Sequence, residues 1–367
     1  MNIYITTHHN VQNYGAALQA YALQQALMDL GYDSKLINYR NPKRKIHNKL
    51  LSASTILKQI IFFYSRINKK NILLGKQRFN DFFKNYHKTT REYINFEDLC
   101  NNPPDADVYL SGSDQVFNTI TMSPLFFLQF GKKNIKRISY AASVGVSCVT
   151  DDKKELLKKY LSFFDSISIR ENDSKELISR YTEKDINVNI DPSFLVTKEY
   201  WERLSSDEVA KSIKEPYVLV YAIYKPKWLN KVLKKIKRET GYKIVVMSYG
   251  NYRPVFCDKC VIDAGPREFL GLVKNAQMVI SSSFHGNVFA TIFEKPFYAV
   301  VNPGAPARIK SLLELLGLED RVLTEETDIN LNIEYSAVNE KIKIENERAK
   351  NYLVSAIEGI KDEHRNN

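Results

Sequence analysis

Short apolar runs followed by helical segments recur along most of this chain, and that alternation limits the folds it can adopt. In the first half such runs begin with Ile3–Thr6 and Ser34–Tyr39, and in the second half with Val218–Tyr221 and Lys243–Met247. Runs this short and rich in β-branched residues, separated by helices, are typical of buried parallel strands. The sequence therefore predicts an α/β protein with two Rossmann-like halves that face each other across a cleft.

The predicted strand Met278–Ile280 runs into a polar stretch, Ser281–Gly286 (SSSFHG), where the strand turns into a helix that stops at Pro296. Unpaired amide groups at a helix N-terminus attract anions, and serine hydroxyls add hydrogen-bond donors. His285 in this position can carry a proton to or from a bound molecule. We interpret the stretch as a candidate anion site with a proton donor; the alternative is an N-capping serine run beside a packed histidine.

The length of 367 residues predicts two domains, each large enough to bury a core of its own. We place an N-terminal α/β domain at residues 1–196 and a C-terminal α/β domain at residues 197–330. Residues 331–367 contribute a final helix, Glu340–Ile360, and a tail. That helix is expected to pack back onto the first half.

The first predicted strand leads into a polar loop, His8–Gly15, and then into a helix, Ala16–Leu30, which Gly31 ends. In a βαβ unit this first loop is where ligands bind. The loop lacks the G-x-G-x-x-G pattern, so no dinucleotide is expected. His8 and His9 are interpreted as loop residues near the cleft rather than as metal ligands.

Nearly all of the formal charge of +11 comes from one segment. Between residues 42 and 91 thirteen lysines and arginines face a single acidic residue, Asp81, and apolar residues are interleaved with them. A basic amphipathic helix on an anionic membrane surface has this composition. Nucleic acid could also bind such a basic patch but is the less expected partner. The non-functional alternative is a solvent-exposed helical insertion.

Other classes of protein find little support in the sequence. No apolar run approaches the roughly 20 residues that a membrane span requires, and the N-terminus reads as a strand rather than a signal peptide. Four cysteines in so long a chain do not form a disulfide framework, and the Cys257–Cys260 pair lacks the further ligands of a zinc site. We predict a cytoplasmic protein with no metal.

Five blocks along the chain resemble a known family. The blocks Asn13–Gln24, Gly112–Asn118, Ile138–Ser143, Asp191–Phe194 and Ser283–Gly286 recur in this order in the polysaccharide pyruvyl transferases. The resemblance implies two Rossmann-like halves of the GT-B type, with the acceptor on the N-terminal side and the donor on the C-terminal side. It also implies phosphoenolpyruvate as donor and a pair of acceptor hydroxyls on a cell-surface saccharide, often still attached to its lipid carrier.

The resemblance assigns roles on the donor side. His285 matches the family's proposed catalytic histidine, the general acid or phosphate partner, and Arg170 matches an arginine proposed to bind the donor. Several branches carry an arginine two residues before the histidine, where this chain has Ser283. Arg308 is a candidate for the missing cation. The remaining predicted donor contacts are Ser282, Ser283 and Gly286.

On the acceptor side the predicted contacts are Asn13, Tyr14, Gly15, Ser113, Asp114 and Gln115. Alternative interpretations stay open for several residues. Asn13 and Gly15 could cap a helix, and Asp114 could be a capping carboxylate rather than an acceptor contact or a base. Asp191, which precedes Pro192, is interpreted as a turn residue.

These features favour a pyruvyl transferase that forms a pyruvate ketal on a saccharide during exopolysaccharide or cell-envelope synthesis. It would act in the cytoplasm, peripherally on the inner face of the membrane, without a cofactor beyond the co-substrate phosphoenolpyruvate. A GT-B glycosyltransferase that uses a nucleotide sugar is the first alternative. A non-catalytic membrane-associated assembly factor is the second. A homo-oligomer is compatible with the sequence.

Overall fold

The computed structural model describes residues 1–39, 68–146, 148–248, 256–305 and 307–359. The strands in these ranges are β1 (Asn2–Thr6), β2 (Asp33–Leu36), β3 (Val108–Ser111), β4 (Lys136–Ser139), β5 (Ile167–Ile169), β6 (Ile186–Val188), β7 (Tyr217–Tyr221), β8 (Lys243–Met247), β9 (Lys259–Val261), β10 (Met278–Ser281) and β11 (Phe297–Ala299). The helices are α1 (Tyr14–Asp29), α2 (Lys69–Tyr86), α3 (Phe96–Asn101), α4 (Asp151–Ser162), α5 (Asn172–Ser179), α6 (Lys198–Leu204), α7 (Glu208–Lys211), α8 (Leu229–Thr240), α9 (Pro266–Asn275), α10 (Phe284–Ile292), α11 (Ala307–Leu316) and α12 (Tyr335–Glu358).

The first half of the chain builds a parallel sheet with the strand order β2-β1-β3-β4. Isolated bridges from Ile138 to Ser166 and from Ala142 to Ile169 extend it to the parallel pair β5-β6. Strands β2 and β3 lie on opposite sides of β1, so the connections to them cover opposite sides of the sheet. A crevice therefore opens at the carboxyl ends of these strands. Thr6 and Ser111, register partners at the ends of β1 and β3, mark that crevice.

The second half builds a parallel sheet with the order β11-β10-β7-β8-β9. Its strand order reverses between β7 and β10, where Tyr221 and Ser281 are register partners at the strand ends. The stretch Ser281–Gly286 therefore begins at the carboxyl end of a buried strand and runs into α10, as the sequence predicts. In open α/β sheets this is where ligands bind.

The two halves are joined by a continuous apolar core. Tyr14 at the start of α1 stacks on Phe269 of α9, with ring centroids 5.1 Å apart, and its hydroxyl donates to Ala264 O at 3.2 Å. Helix α2 crosses to the second half as well, since Arg78 binds Asp263 O at 2.9 Å. These contacts hold the carboxyl ends of the two sheets against a shared cleft.

Helix α12 packs on the first half, which confirms the prediction for the C-terminal helix. Tyr352 donates to Ser139 O at 2.8 Å, and Lys136 donates to Ile357 O at 2.6 Å. The helix begins at Tyr335 rather than at Glu340. The domain boundaries at residues 196 and 330 stay predictions.

Several boundaries differ from the sequence prediction for local reasons. Helix α1 begins at Tyr14 rather than Ala16 because the Asn13 side chain accepts a hydrogen bond from Ala16 N at 3.1 Å and so caps it. Between Thr197 and Glu215, where the sequence predicts a helical linker, the structure contains two short helices, α6 and α7. The elements α3, α5 and β9 are not predicted from the sequence.

The basic segment falls largely outside the described residues, which omit 40–67. Its described part contains α2, an amphipathic helix that buries Phe79 and Phe82 in the core. Within the described ranges, no helix combines the length and the apolar character needed to cross a membrane. The predicted membrane contact of this segment stays a prediction.

Candidate functional site

A cavity of about 900 Å³ opens where the carboxyl ends of the two sheets meet. Both halves line it with polar side chains. The first half contributes His8, Asn13, Asp114 and Gln115, and the second half contributes Ser282, Ser283, His285 and Arg308. The cavity therefore brings together seven of the twelve predicted site residues.

His285 is held at the cavity by the turn between β10 and α10. Ser281 donates its hydroxyl to Tyr221 O at 3.0 Å and accepts from Ser283 N at 3.0 Å, which fixes the turn. Ser283 occupies the N-cap position, and His285 is the second residue of α10. His285 is buried, so its imidazole presents little surface beyond the cavity. The free amide groups of the first helical turn face the same end.

Two glycines allow the close packing behind His285. A Cβ atom on Gly15 would lie 2.2 Å from His285 Nδ1, and a Cβ atom on Gly286 would lie 2.1 Å from Ser281 Oγ. Distances under 3.0 Å are essentially never seen for real Cβ atoms, so any side chain would displace α10 or the imidazole. Both residues shape the site from behind and do not line the cavity.

Asp191 is buried next to His285 and does not line the cavity. Its Oδ2 is 3.4 Å from His285 Nε2 and accepts hydrogen bonds from Arg170 Nη1 at 2.9 Å and Ser113 Oγ at 3.0 Å. Its Oδ1 accepts a hydrogen bond from Ser193 N at 3.0 Å, as expected for a turn residue. Asp191 therefore combines the predicted turn role with contacts to His285, Arg170 and Ser113. Burial alone would raise the pKa of Asp191, but the charges of His285 and Arg170 outweigh it and lower that pKa. Asp191 is therefore a buried carboxylate anion beside the imidazole.

Arg170 lies behind this carboxylate and outside the cavity wall. Its Nε donates to Glu171 Oε1 at 3.0 Å, and its guanidinium stacks 3.9 Å from the centre of the Phe284 ring. The side chain is only 3% exposed. Burial would lower the pKa of Arg170, but the carboxylates of Glu171 and Asp191 outweigh it and raise that pKa. One buried guanidinium thus faces two buried carboxylates.

Arg308 lies in the cavity wall, in the first turn of α11. With the Gln115 amide oxygen turned toward it, its Nη1 and Nη2 donate to that oxygen at 2.7 and 3.1 Å. Burial and the nearby charge of Arg170 lower the pKa of Arg308 from the usual arginine value. Even a lowered arginine pKa leaves the side chain charged near pH 7. Arg308 is thus a cation at the cavity whose partner is a neutral amide.

Asp114 has a strained backbone, with φ 72° and ψ −174°, a region that is essentially restricted to glycine. Ser143 N holds the loop by donating to Asp114 O at 2.8 Å. The Asp114 carboxylate accepts from Gln115 N at 2.9 Å and lines the cavity. Burial alone would raise the pKa of Asp114, but electrostatic interactions with His8, His285, Arg170 and Arg308 lower it. Asp114 therefore places a carboxylate anion at the cavity wall.

The remaining predicted contacts have other partners. Ser113 is fully buried and binds Asp191, and the hydroxyl of Tyr14 points to Ala264 in the core. Ser282 lies at the cavity, where its Oγ accepts a hydrogen bond from Tyr224 N at 2.8 Å. Tyr14, Gly15, Ser113, Arg170 and Gly286 are therefore not among the residues that line this cavity.

Sequence reasoning missed the role of Asp191 beside His285. The usable signal was the position of Asp191 directly after Val188–Ile190, a run that the sequence predicts as a strand, because polar residues that follow neighbouring parallel strands gather at one edge of the sheet. His9 is buried rather than at the cleft, with its Nδ1 3.1 Å from Thr7 O. Across the described ranges no three His, Cys, Asp or Glu side chains cluster as metal ligands.

The fold can be compared with solved structures. A UDP-GlcNAc 2-epimerase from Methanocaldococcus jannaschii aligns with a TM-score of 0.53 at 13% identity over 98% of this chain and all of that one. The Neisseria meningitidis UDP-GlcNAc 2-epimerase bound to UDP-GlcNAc aligns with a TM-score of 0.51 at 11% identity over 98% and 100%. Arabidopsis thaliana UGT89C1 complexed with UDP-L-rhamnose aligns with a TM-score of 0.51 at 12% identity over 97% and 98%. These likenesses confirm the GT-B-like fold class.

Sequence comparison identifies the family. A search among curated proteins finds no match. The family model for the polysaccharide pyruvyl transferases matches residues 13–303, which include all five sequence blocks and His285. The chain therefore belongs to the polysaccharide pyruvyl transferase family, a family of transferases.

Proposed function

We propose that this protein transfers the pyruvate group of phosphoenolpyruvate to two hydroxyls of a saccharide, forming a cyclic ketal and releasing phosphate. The observation that carries the proposal is the arrangement around His285. A buried histidine stands at the N-terminus of α10, with the Asp191 carboxylate 3.4 Å behind it and the Arg308 guanidinium in the same cavity wall. A proton donor and an anion site are therefore adjacent.

The donor end of the cavity suits a small dianion. Phosphoenolpyruvate carries a carboxylate and a phosphate, and amide groups at a helix N-terminus bind such groups. Arg308 can add a charged, two-pronged donor, and Ser283 lies at the N-cap beside it. Arg308 would thereby take the place of the arginine that several branches of the family carry at the position of Ser283.

The proposed chemistry uses two titratable groups of the cavity wall, His285 and Asp114. Protonated His285 delivers a proton to the methylene carbon of the enol, and a saccharide hydroxyl adds to the central carbon as Asp114 takes its proton. The bond from the central carbon to the phosphate oxygen then breaks, and phosphate leaves with the electron pair. A second hydroxyl closes the ketal, and its proton passes to the departing phosphate. The balance is one phosphoenolpyruvate and one diol converted to one ketal and one phosphate.

The size of the cavity supports a second substrate. About 900 Å³ is near the upper end of the roughly 300–1,000 Å³ range of small-molecule sites, more than phosphoenolpyruvate alone requires. Neutral amide side chains, Asn10, Gln12, Asn13 and Asn302, line much of the rest. Amides donate to and accept from hydroxyls without adding charge, which suits a sugar. No cofactor is included in this proposal.

A glycosyltransferase that uses a nucleotide sugar is the second candidate, because structures with this fold bind UDP sugars. Such a donor site commonly needs an acidic residue for the ribose diol. In the described part of the cavity wall the acidic side chain is Asp114, which belongs to the first half. We therefore favour phosphoenolpyruvate.

We also propose that the saccharide is presented on a lipid carrier and that residues 42–91 hold the protein at the inner, anionic membrane surface. The support is the excess of lysine and arginine in that segment, and Lys76 of α2 lies at the cavity wall. Each basic residue near such a surface contributes on the order of 1 kcal/mol. Sedimentation with liposomes should show binding that requires anionic lipid and weakens with salt. Binding to RNA or DNA without liposome binding would contradict this.

The main test measures which donor the folded protein recognises. A ligand that binds only the native state raises stability by about 2.7 kcal/mol at a hundredfold excess over Kd. Phosphoenolpyruvate should raise the melting temperature, and UDP, GDP and CMP sugars should not. Phosphate release should appear when saccharide acceptors are added and should fall about 10²- to 10⁴-fold in His285→Ala. A response to a nucleotide sugar but not to phosphoenolpyruvate in either assay would favour the glycosyltransferase.

A further inference from the structure

Arg170 is the residue whose place in the structure departs most from its expected role in binding the donor. It is absent from the wall of the 900 Å³ cavity that holds His285 and Arg308. The Phe284 ring lies against its guanidinium. A donor bound beside His285 in that cavity would therefore meet Arg308 rather than Arg170.

Two spaces that Arg170 lines within the described part of the chain do not suit the donor. One is a small cavity of about 20 Å³ shared with Asp191, Phe284 and Arg308, which has room for about one water molecule. The other is a groove of about 720 Å³ between β6, α5 and α12, whose described lining does not include His285. Phosphoenolpyruvate is too large for the first, and in the second it would lie apart from the proton donor.

The hydrogen bonds of Arg170 point to a different task. Its Nη1 binds Asp191 Oδ2 at 2.9 Å, the same oxygen that lies 3.4 Å from His285 Nε2. Its Nε binds Glu171 Oε1 at 3.0 Å, which fixes the plane of the guanidinium. The buried chain Glu171–Arg170–Asp191–His285 therefore alternates in charge when His285 is protonated. A planar guanidinium can orient a carboxylate in this way, whereas an ammonium group cannot do so with the same geometry.

We propose that Arg170 is a positioning residue, which holds the Asp191 carboxylate against His285, and that Arg308 is the arginine that binds the anionic donor. This inference rests on the proposed function for the identity of the donor. The placement of Asp191 by Arg170 does not depend on that identity.

The experiment compares two matched substitutions, Arg170→Met and Arg308→Met. Arg170→Met should lower kcat about 10²-fold, with KM for phosphoenolpyruvate within threefold of wild type. Arg308→Met should raise that KM tenfold or more. In thermal denaturation, phosphoenolpyruvate should still stabilise Arg170→Met and should stabilise Arg308→Met much less. An Arg170→Met variant that loses this stabilisation as Arg308→Met does would show that Arg170 binds the donor.

Arg170→Met leaves two buried carboxylates without their cation, so the variant could lose activity because it misfolds. Two further variants test that explanation. The double variant Arg170→Met with Glu171→Gln removes one of those charges. It should fold and keep the defect in kcat. Arg170→Lys keeps the charge but not the planar geometry, so it should recover kcat only in part. Full recovery of kcat in Arg170→Lys would overturn the positioning role.

A spectroscopic measurement separates this inference from the proposed function. The chain has six histidines, so the Cε1 signal of His285 can be assigned by its absence in His285→Gln. Without any substrate, that signal should move in Arg170→Met as it does in Asp191→Asn and should stay in place in Arg308→Met. A wild-type protein that ignores phosphoenolpyruvate would contradict the proposed function alone. An unchanged His285 signal in Arg170→Met would contradict the positioning role alone.

Discussion

Gly15 lies directly behind His285, so that a Cβ atom on Gly15 would come within 2.2 Å of Nδ1 and 2.5 Å of the histidine's own Cβ. The two residues belong to different halves of the protein. The clash would involve the base of the side chain as well as the ring, so rotation of the imidazole alone could not relieve it. The first helix of one half therefore sets the position of the proposed proton donor in the other.

We expect Gly15→Ala to reduce turnover about 10²-fold, because α10 or the imidazole must shift away from the donor site. Overpacking of this kind typically destabilises a fold by about 1–3 kcal/mol, so the protein should still fold. Phosphate release and urea denaturation measure the two effects. Gly304→Ala is the control, since a Cβ there would meet only Asn302 Oδ1 at 3.5 Å. Wild-type turnover in Gly15→Ala would mean that the position of His285 is not critical.

Asp191→Asn should lower kcat about 10²-fold while leaving the turn at Ser193 intact, because the amide oxygen can still accept from Ser193 N. The variant removes the negative charge beside His285. It also removes one of the two carboxylates that pair with Arg170. Breaking a buried pair in this way costs about 3–5 kcal/mol, so chemical denaturation should show a lower midpoint. The exposed carboxylate Asp173 provides the control variant, Asp173→Asn. Loss of stability without loss of kcat would restrict Asp191 to a structural role.

Asp114→Gly should raise the free energy of unfolding relative to Asp114→Ala by about 1–3 kcal/mol, because glycine adopts φ 72° and ψ −174° without strain. Both variants should lose turnover, since both remove the proposed base. Paired urea denaturation curves measure the difference, and the comparison with Ala removes the effect of the lost carboxylate. Equal stabilities would mean that the backbone at residue 114 relaxes when the side chain is shortened.

Because His9 and His87 are buried, we expect the free energy of unfolding to decrease on mild acidification. Burial lowers the pKa of His9 to about 4 and that of His87 to about 3, both below the ordinary value of 6.5. Between pH 6.5 and about 4 the unfolded chain therefore binds protons that the folded protein does not. The free energy of unfolding should fall as the pH falls through this window, by on the order of 1 kcal/mol per pH unit for each histidine.

The test of this pH dependence is to measure urea denaturation midpoints from pH 7 to pH 5. Most carboxylates stay ionised in that range, so they contribute little to the change. His87→Phe should flatten the slope, because a phenyl ring removes one titrating group from a site already packed by Phe82 and Phe83. An unchanged slope in His87→Phe would show that this histidine titrates normally in the folded protein.

The order of strands and helices, the α/β class and the turn at Ser281–Gly286 could be read from the sequence. These features depend on residues a few positions apart: the apolar run of β10, the helical spacing of α10 and the glycine that follows α1. Even there, the cap at Asn13 moved the start of α1 by two residues. The sequence also placed Ser282, Ser283, His285 and Arg308 on the donor side, and all four lie in the cavity wall.

Only the tertiary structure decided what each polar residue touches. Gly15, predicted as an acceptor contact, lies behind His285, and Asp191, predicted as a turn residue, also faces it. Arg170, predicted to bind the donor, forms a hydrogen bond with Asp191. Strand and helix patterns reflect the chain's own periodicity. The contacts of Gly15, Asp191 and Arg170 instead arise where two sheets pack across a cleft, and packing of distant segments leaves no local pattern in the sequence.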